Sequence, residues 1–212
     1  MNEDNVKKLW DAEWKENNTI EQSASPIGRW LRRQRLRITS EMMTELDRNL
    51  SVIDMGCGGG TTLKLIRRLG FKNSIGIDFS VEALKRCEAM GFKEGVDIFN
   101  HDAKATPYRA REFDIGFEEG LWEHFKDPSP YIDEACRISG KWLLIIQPNH
   151  YTIFGGLLHW AWEHFKGGGV KEYSFPINYF SNRVEANGFT LRQRRDTMLG
   201  IQAILLFKRE TR

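Results

Sequence analysis

Val52-Ile53-Asp54-Met55-Gly56-Cys57-Gly58-Gly59-Gly60, followed directly by Thr61-Thr62-Leu63-Lys64-Leu65-Ile66, decides how this chain is read. A short apolar run closes on an acid and a glycine-dense turn, then enters a helix-period pattern with Leu63, Ile66 and Leu69 on one face. That order predicts strand, tight loop and helix. Glycines let the backbone turn sharply and approach a ligand, and the helix N-terminus turns free N–H groups toward it. Nicotinamide, flavin and sulfonium cofactors all use such a turn, so the turn alone selects none of them. Asp54, two residues before the first glycine, and acids further along sharpen the signal.

Ser74-Ile75-Gly76-Ile77-Asp78 predicts a second short strand, and Asp78 ends it 24 residues after Asp54. A carboxylate at that place typically accepts hydrogen bonds from ribose hydroxyls. A third strand-like run, Val96 to Asn100, leads into His101-Asp102-Ala103, and a fourth, Phe113 to Gly120, runs into an acidic turn. Repeating β-α units of this kind imply a parallel sheet covered on both sides.

With these four motifs in order, the sequence resembles the class I S-adenosylmethionine-dependent methyltransferases, in particular their small single-domain members. The matching residues are Asp54 to Gly60, Gly76-Ile77-Asp78-Phe79-Ser80, Asp102-Ala103, and Phe113-Asp114 through Leu121-Trp122-Glu123-His124-Phe125. The resemblance runs from about Trp10 to the C-terminus and is strongest between Ser51 and Pro148. It implies an α/β fold: a doubly wound, mostly parallel seven-stranded sheet with helices on both faces and a C-terminal antiparallel hairpin. One domain would divide into a helical cover (1–48), a cofactor-binding core (49–147), an aromatic insert or lid (148–176) and a closing helix and hairpin (177–212).

The resemblance also implies a cofactor, S-adenosyl-L-methionine, with S-adenosyl-L-homocysteine as product. Gly56, Cys57, Gly58 and Gly60 would lie against its amino-acid portion, with Asp54 near the ammonium group. Asp78 would take both ribose hydroxyls. Phe79 would cover the adenine face, Asp102 would accept its exocyclic amine, and the Ala103 N–H would meet a ring nitrogen. Glu118 and Glu119 would stand beside the methionine end. Methyl transfer is an in-line displacement that needs alignment, exclusion of water and sometimes removal of a proton. His124, with Glu123 beside it, is the best placed base; the competing reading has the pair only packing the turn.

At 212 residues the chain has the size of one domain with a substantial core. Apolar residues at 41% and charged residues at 28% fit a soluble globular protein. No apolar run reaches bilayer-spanning length and the N-terminus is too polar for a signal peptide, so the expected location is the cytoplasm. Cys57, Cys87 and Cys136 are odd in number and read as small buried residues. No set of histidines, cysteines and acids has metal-ligand spacing, and the expected site is metal-free. A net charge of +2 gives no reason to expect a nucleic-acid partner. Arg29, Arg32, Arg33, Arg35 and Arg37 nevertheless crowd one segment. The plain reading is a solvated helix face carrying Trp30, Leu31 and Leu36 inward; the sharper one is an anionic-substrate or membrane-surface patch.

Residues 1–20 predict a polar helix anchored by Leu9, Trp10 and Trp14, and Ser25-Pro26 opens a second running toward Leu46. The two would cover the mouth of the site. Lys141 to Gln147 is a continuous apolar run suited to a strand buried on both faces. The segment from Pro148 to Pro176 is aromatic, with a short helix expected over Leu157 to Phe165. His150, Trp160 and Trp162 are its substrate candidates, as an apolar cover for a flat or hydrophobic acceptor. A packed lid or a dimer surface is the competing reading. Ile177–Asn187 predicts a helix, and Phe189–Arg195 with Ile201–Phe207 the closing hairpin.

The expected activity is therefore methyl transfer to a small-molecule acceptor by a monomer or homodimer. The alternatives are a methyltransferase acting on nucleic acid or protein, or a catalytically silent regulatory subunit that binds the same cofactor. A nicotinamide-dependent oxidoreductase fits poorly, because Gly56-x-Gly58-x-Gly60 departs from the G-x-G-x-x-G spacing and no Tyr-x-x-x-Lys pattern follows.

Overall fold

The computed structural model describes residues 3–16, 26–165 and 170–210. Two helices, α1 (Glu3–Glu16) and α2 (Pro26–Thr44), precede β1 (Val52–Met55), α3 (Thr61–Arg68), β2 (Ser74–Asp78), α4 (Val81–Ala89) and β3 (Ile98–Asn100). Then come β4 (Phe113–Glu119), α5 (Ser129–Ile138), β5 (Ser139–Pro148), α6 (Ile153–Phe165), α7 (Ile177–Ala186), β6 (Phe189–Asp196) and β7 (Gln202–Arg209). The strands form one seven-stranded sheet in the order β3-β2-β1-β4-β5-β7-β6. Pairings are parallel from β3 to β5, and β7 runs antiparallel to both neighbours. The expected doubly wound sheet with its closing hairpin is therefore present.

The chain steps outward from β1 through β2 to β3, then returns to place β4 on the other side of β1. That reversal opens a crevice at the carboxyl ends of β1 and β4, the place where open α/β sheets take ligands. The sheet is buried on both faces because its central strands alternate between two apolar layers. In β5, Leu143 and Ile145 pack with α5 and α7 residues such as Ile132 and Phe180. Leu144 and Ile146 join Met42, Met43 and Leu46 from α2 and its end. The Ser80 hydroxyl accepts from the Ala83 N–H at 3.2 Å and caps α4 as expected.

Two local expectations are corrected. The arginine-rich segment is helical, but Trp30 points outward and Arg35 points in. Arg29, Arg33 and Arg37 share the exposed face at helical spacing, while Arg35 falls on the face toward the core. Helix α6 begins at Ile153, ahead of the expected Leu157. Gly155-Gly156 reads as a breaker, yet a Cβ at Gly155 would lie 1.9 Å from the Asn149 carbonyl oxygen. Only glycine allows the helix to start that close to the preceding chain. The helix expected over residues 1–20 lies partly, and the glycines at 167–169 wholly, outside the described residues. Among the described residues no helix is long and apolar enough to cross a membrane.

Because Leu144 is fully buried between the central strands and α2, Leu144→Ala is expected to cost about 2–5 kcal/mol of stability. Urea denaturation checks it through a lower midpoint.

Candidate active site

Turn residues after β1 are tied to β2 by backbone bonds: the Gly56 and Cys57 N–H groups both donate to the Ile77 carbonyl, at 2.8 and 2.9 Å. Asp78 then closes the arrangement. Its carboxylate accepts from the Gly58 N–H at 2.9 Å and the Ser80 N–H at 2.8 Å. Burial pushes Asp78 up to about 6, against the pull of backbone hydrogen bonds from Ser80, Gly58 and Phe79. Asn100 donates to the Asp78 and Phe79 carbonyls at 3.1 and 3.0 Å, fixing the end of the second strand. Gly60 sits at φ +82°, and a Cβ there would lie 2.9 Å from Cys87 Sγ. The Cys87 thiol donates to the Gly58 carbonyl at 3.1 Å, so the cysteines shape the turn from behind. Its neighbour raises the Cys57 pKa well above the ordinary thiol range, first through a hydrogen bond and then through burial.

A cavity of about 390 Å³ opens on this turn. Gly56, Gly58, Asp78 and Phe79 line its strand side, with Glu119, Gly120, Leu121, Glu123 and His124 after β4. The rest of the wall comes from α1, α2 and the segments following β5, including Trp10, Trp14, Arg35, His150, Leu158 and Glu172. Trp14 reaches the turn itself, since a Cβ at Gly59 would lie 3.1 Å from its ring. Helix α1 is held there by Ser80, whose hydroxyl donates to Asp11 at 2.6 Å, and by Arg86, which donates to the Trp14 carbonyl.

Several sequence candidates stand elsewhere. Asp54 and Cys57 are buried, and neither they nor Gly60 line the cavity. Asp102 is exposed and accepts from the Lys104 N–H at 2.9 Å, while Ala103 is buried; both lie off the cavity wall. Glu118 is also behind the wall, accepting from the Leu121 N–H and the Gln147 amide, each at 2.6 Å. Trp160 faces outward and packs beside His164 at 4.6 Å between ring centres, because Gly155, Leu158 and His159 take the inner face of α6. The Trp162 side chain lies outside the described residues.

The acidic turn is settled in two ways. Glu119 is neutralised: Arg35 Nε lies 2.5 Å from one oxygen and the Thr62 hydroxyl donates to the other at 2.7 Å. Glu118 and Glu123 are buried instead, which disfavours their charge. Burial pushes Glu118 up to about 8, and burial with the charges of Glu118 and Glu172 raises Glu123 well above the usual carboxylate range. Glu123 lines the cavity beside His124. His124 is placed differently. Its Nδ1 lies 3.1 Å from the Lys171 carbonyl, and its ring meets Trp10 edge-on at 4.8 Å. A carbonyl only accepts, so Nδ1 carries the hydrogen and Nε2 keeps the lone pair.

Glu172 is a wall residue that the sequence did not single out, and Arg35 was named only as one of five arginines; a helical-wheel plot of α2 would have separated it from its exposed neighbours. The expected lack of metal-ligand spacing does not carry over to three dimensions. His150, His159 and Glu172 bring one ligand atom each within 4.8 Å of one another. Burial and the nearby His159 push His150 down to about 4, so it is neutral at pH 7.

Because Glu118 stays protonated in the folded chain up to about pH 8 and ionises near 4.5 when unfolded, unfolding releases its proton between those values. Stability must therefore fall as pH rises from 5 to 8, by at most about 1.4 kcal/mol per unit from this group. Chemical denaturation at several pH values should show that slope, reduced in Glu118→Gln.

A family described as a methyltransferase domain matches residues 27–194, which leaves α1 and all of β7 outside the match. A ubiquinone biosynthesis O-methyltransferase of Paraburkholderia phymatum is 32% identical over 129 residues, covering 59% of this chain and 48% of that protein. A 2-methyl-6-phytyl-1,4-hydroquinone methyltransferase of Oryza sativa is 33% identical over 110 residues, covering 50% of this chain and 32% of that protein. The chain thus spans half or less of the length of these curated relatives. The structure of magnesium protoporphyrin IX methyltransferase from Synechocystis, solved with S-adenosylhomocysteine, superposes with a TM-score of 0.73 over 99% of this chain and 100% of that one, at 16% identity. The last likeness concerns the fold; the family match reaches further. The chain belongs to the methyltransferase domain family, in its class I S-adenosylmethionine-dependent form.

Proposed function

We propose that this chain methylates a small, flat, largely apolar acceptor held in the cavity between the glycine turn and α6. The observation that carries the reading is Asp78 on the cavity wall at the end of β2. Two of its lone-pair directions are taken by the Gly58 and Ser80 N–H groups. A carboxylate has about four such directions, and with the Phe79 N–H also drawing on it there is room left for a ribose hydroxyl. Phe79 stands next to it as a face for adenine, and the left-handed turn at Gly56 (φ +71°) brings backbone close to the amino-acid portion. Asp54, Gly60 and Cys57 support the turn from behind, and Asp102 and Ala103 keep their assignment to the adenine edge only as part of this proposal.

S-adenosylmethionine supplies a methyl group already activated by a positive sulfonium. The remaining work belongs to the protein. Trp10, Leu31, Leu121, Leu158 and Val170 line the space beyond the turn with apolar surface and exclude water. His124 Nε2, with its tautomer set by the Lys171 carbonyl, takes a proton from the acceptor. Glu123 stands beside His124 on the cavity wall and orients the acceptor. The names of the two curated relatives point to phenolic or quinol rings, and the lining suits such a ring.

Calorimetric titration with S-adenosylhomocysteine tests the cofactor half. Micromolar binding is expected, with a loss of tenfold or more in Asp78→Ala. Binding needs ionised Asp78, and the free protein holds that group at about 6. Affinity should therefore fall toward tenfold per pH unit below that value, with the fall flattened in Asp78→Asn. With a phenolic acceptor, His124→Gln is expected to lower turnover by about 10²–10⁴; unchanged turnover would remove the base.

A further inference from the structure

His150 follows β5, His159 sits in the middle of α6, and Glu172 lies on the strap between α6 and α7. These separate segments bring His150 Nε2 to 3.6 Å and His159 Nδ1 to 3.7 Å from the same oxygen of Glu172. Both separations are too long for hydrogen bonds. They are close to the edge of a tetrahedron, about 3.3 Å, built on metal–ligand bonds of about 2.0–2.1 Å. All three side chains are 8–14% exposed, and all three line the cavity.

We propose that His150 Nε2, His159 Nδ1 and Glu172 Oε2 form a three-ligand site for a divalent ion of the zinc class, with its fourth position open to the cavity. Two imidazoles and one carboxylate are a donor set that suits such an ion and leaves a coordination position for an outside oxygen. The His150 ring is already oriented for it, since its other nitrogen meets the Ser174 hydroxyl at 3.1 Å, which leaves Nε2 facing Glu172. The two rings are stacked, 3.9 Å apart between centres with planes 15° from parallel. Parallel rings cannot both aim their in-plane lone pairs at one ion, so binding exchanges the stack for a tilt of one ring. An ion here would clip α6 and the strap to the end of β5. Where the cavity holds a hydroxylated acceptor, the open position would take the acceptor oxygen as its anion, the proton passing to His124 or water. This last step rests on the methyl-transfer reading; ion binding does not.

The test is calorimetric titration of the chelator-treated full chain with Zn²⁺, together with the visible absorption of its Co²⁺ form. One equivalent should bind at micromolar affinity or tighter, raise the melting temperature and give the intense bands of four-coordinate cobalt. His159→Gln and Glu172→Gln, checked by circular dichroism to be folded, should each weaken Zn²⁺ binding tenfold or more and lose those bands. No uptake, or uptake unchanged in both variants, overturns the site. If a variant fails to fold, the parent's cobalt spectrum decides: a weak six-coordinate spectrum overturns it. Failure of the parent to bind S-adenosylhomocysteine would count against the cofactor reading and leave the ion site standing.

Discussion

The Asp78 carboxylate is the constraint around which the site is arranged. It lies at the end of β2, yet it accepts from the N–H of Gly58 in the turn after β1 and from the N–H of Ser80 before α4. One buried acid thus sets the spacing of two loops that are far apart in sequence. The backbone bonds from Gly56 and Cys57 to Ile77 press the same two strand ends together. Ser80 carries the constraint outward: its hydroxyl caps α4 and also donates to Asp11 of α1. The cost is electrostatic, since burial disfavours the charge that the hydrogen bonds favour. A ligand bringing a hydroxyl donor to that carboxylate would relieve the tension.

At the other lip of the crevice the problem is too many acids. Glu118, Glu119, Glu123 and Glu172 gather near one end of the cavity, and burial there disfavours charge on Glu118 and Glu123. Glu119 is met there by a cation, Arg35 of α2. Helix α2 therefore does more than shield the sheet. Its arginine pairs with the carboxylate at the end of β4 that lines the cavity.

The parts of this chain that are legible in sequence are those fixed by local backbone demands. Strand order, the glycine turn, Asp78 and the Ser80 cap each follow from residues within a few positions of one another. Arg35 was hidden because five arginines in nine residues look alike; only the helical period separates Arg29, Arg33 and Arg37, which face water, from the one that meets Glu119. Trp30 was misjudged for the same reason. The start of α6 was hidden by Gly155, whose lack of a side chain serves a close approach to Asn149 that no local pattern shows. His150, His159 and Glu172 have no motif spacing, and only the return of the strap across α6 unites them.

Those differences follow the division of labour in the cavity. Its cofactor side is made by strand ends, where a shift of one residue would turn side chains to the other face of the sheet, so the geometry must be written locally. Its outer side is made by α1, α2, α6 and the strap, whose positions depend on packing between distant segments. A sheet can therefore be shared closely with another methyltransferase while the outer wall is rebuilt around a different acceptor. In this chain that wall combines tryptophan and leucine surface with two imidazoles and a carboxylate.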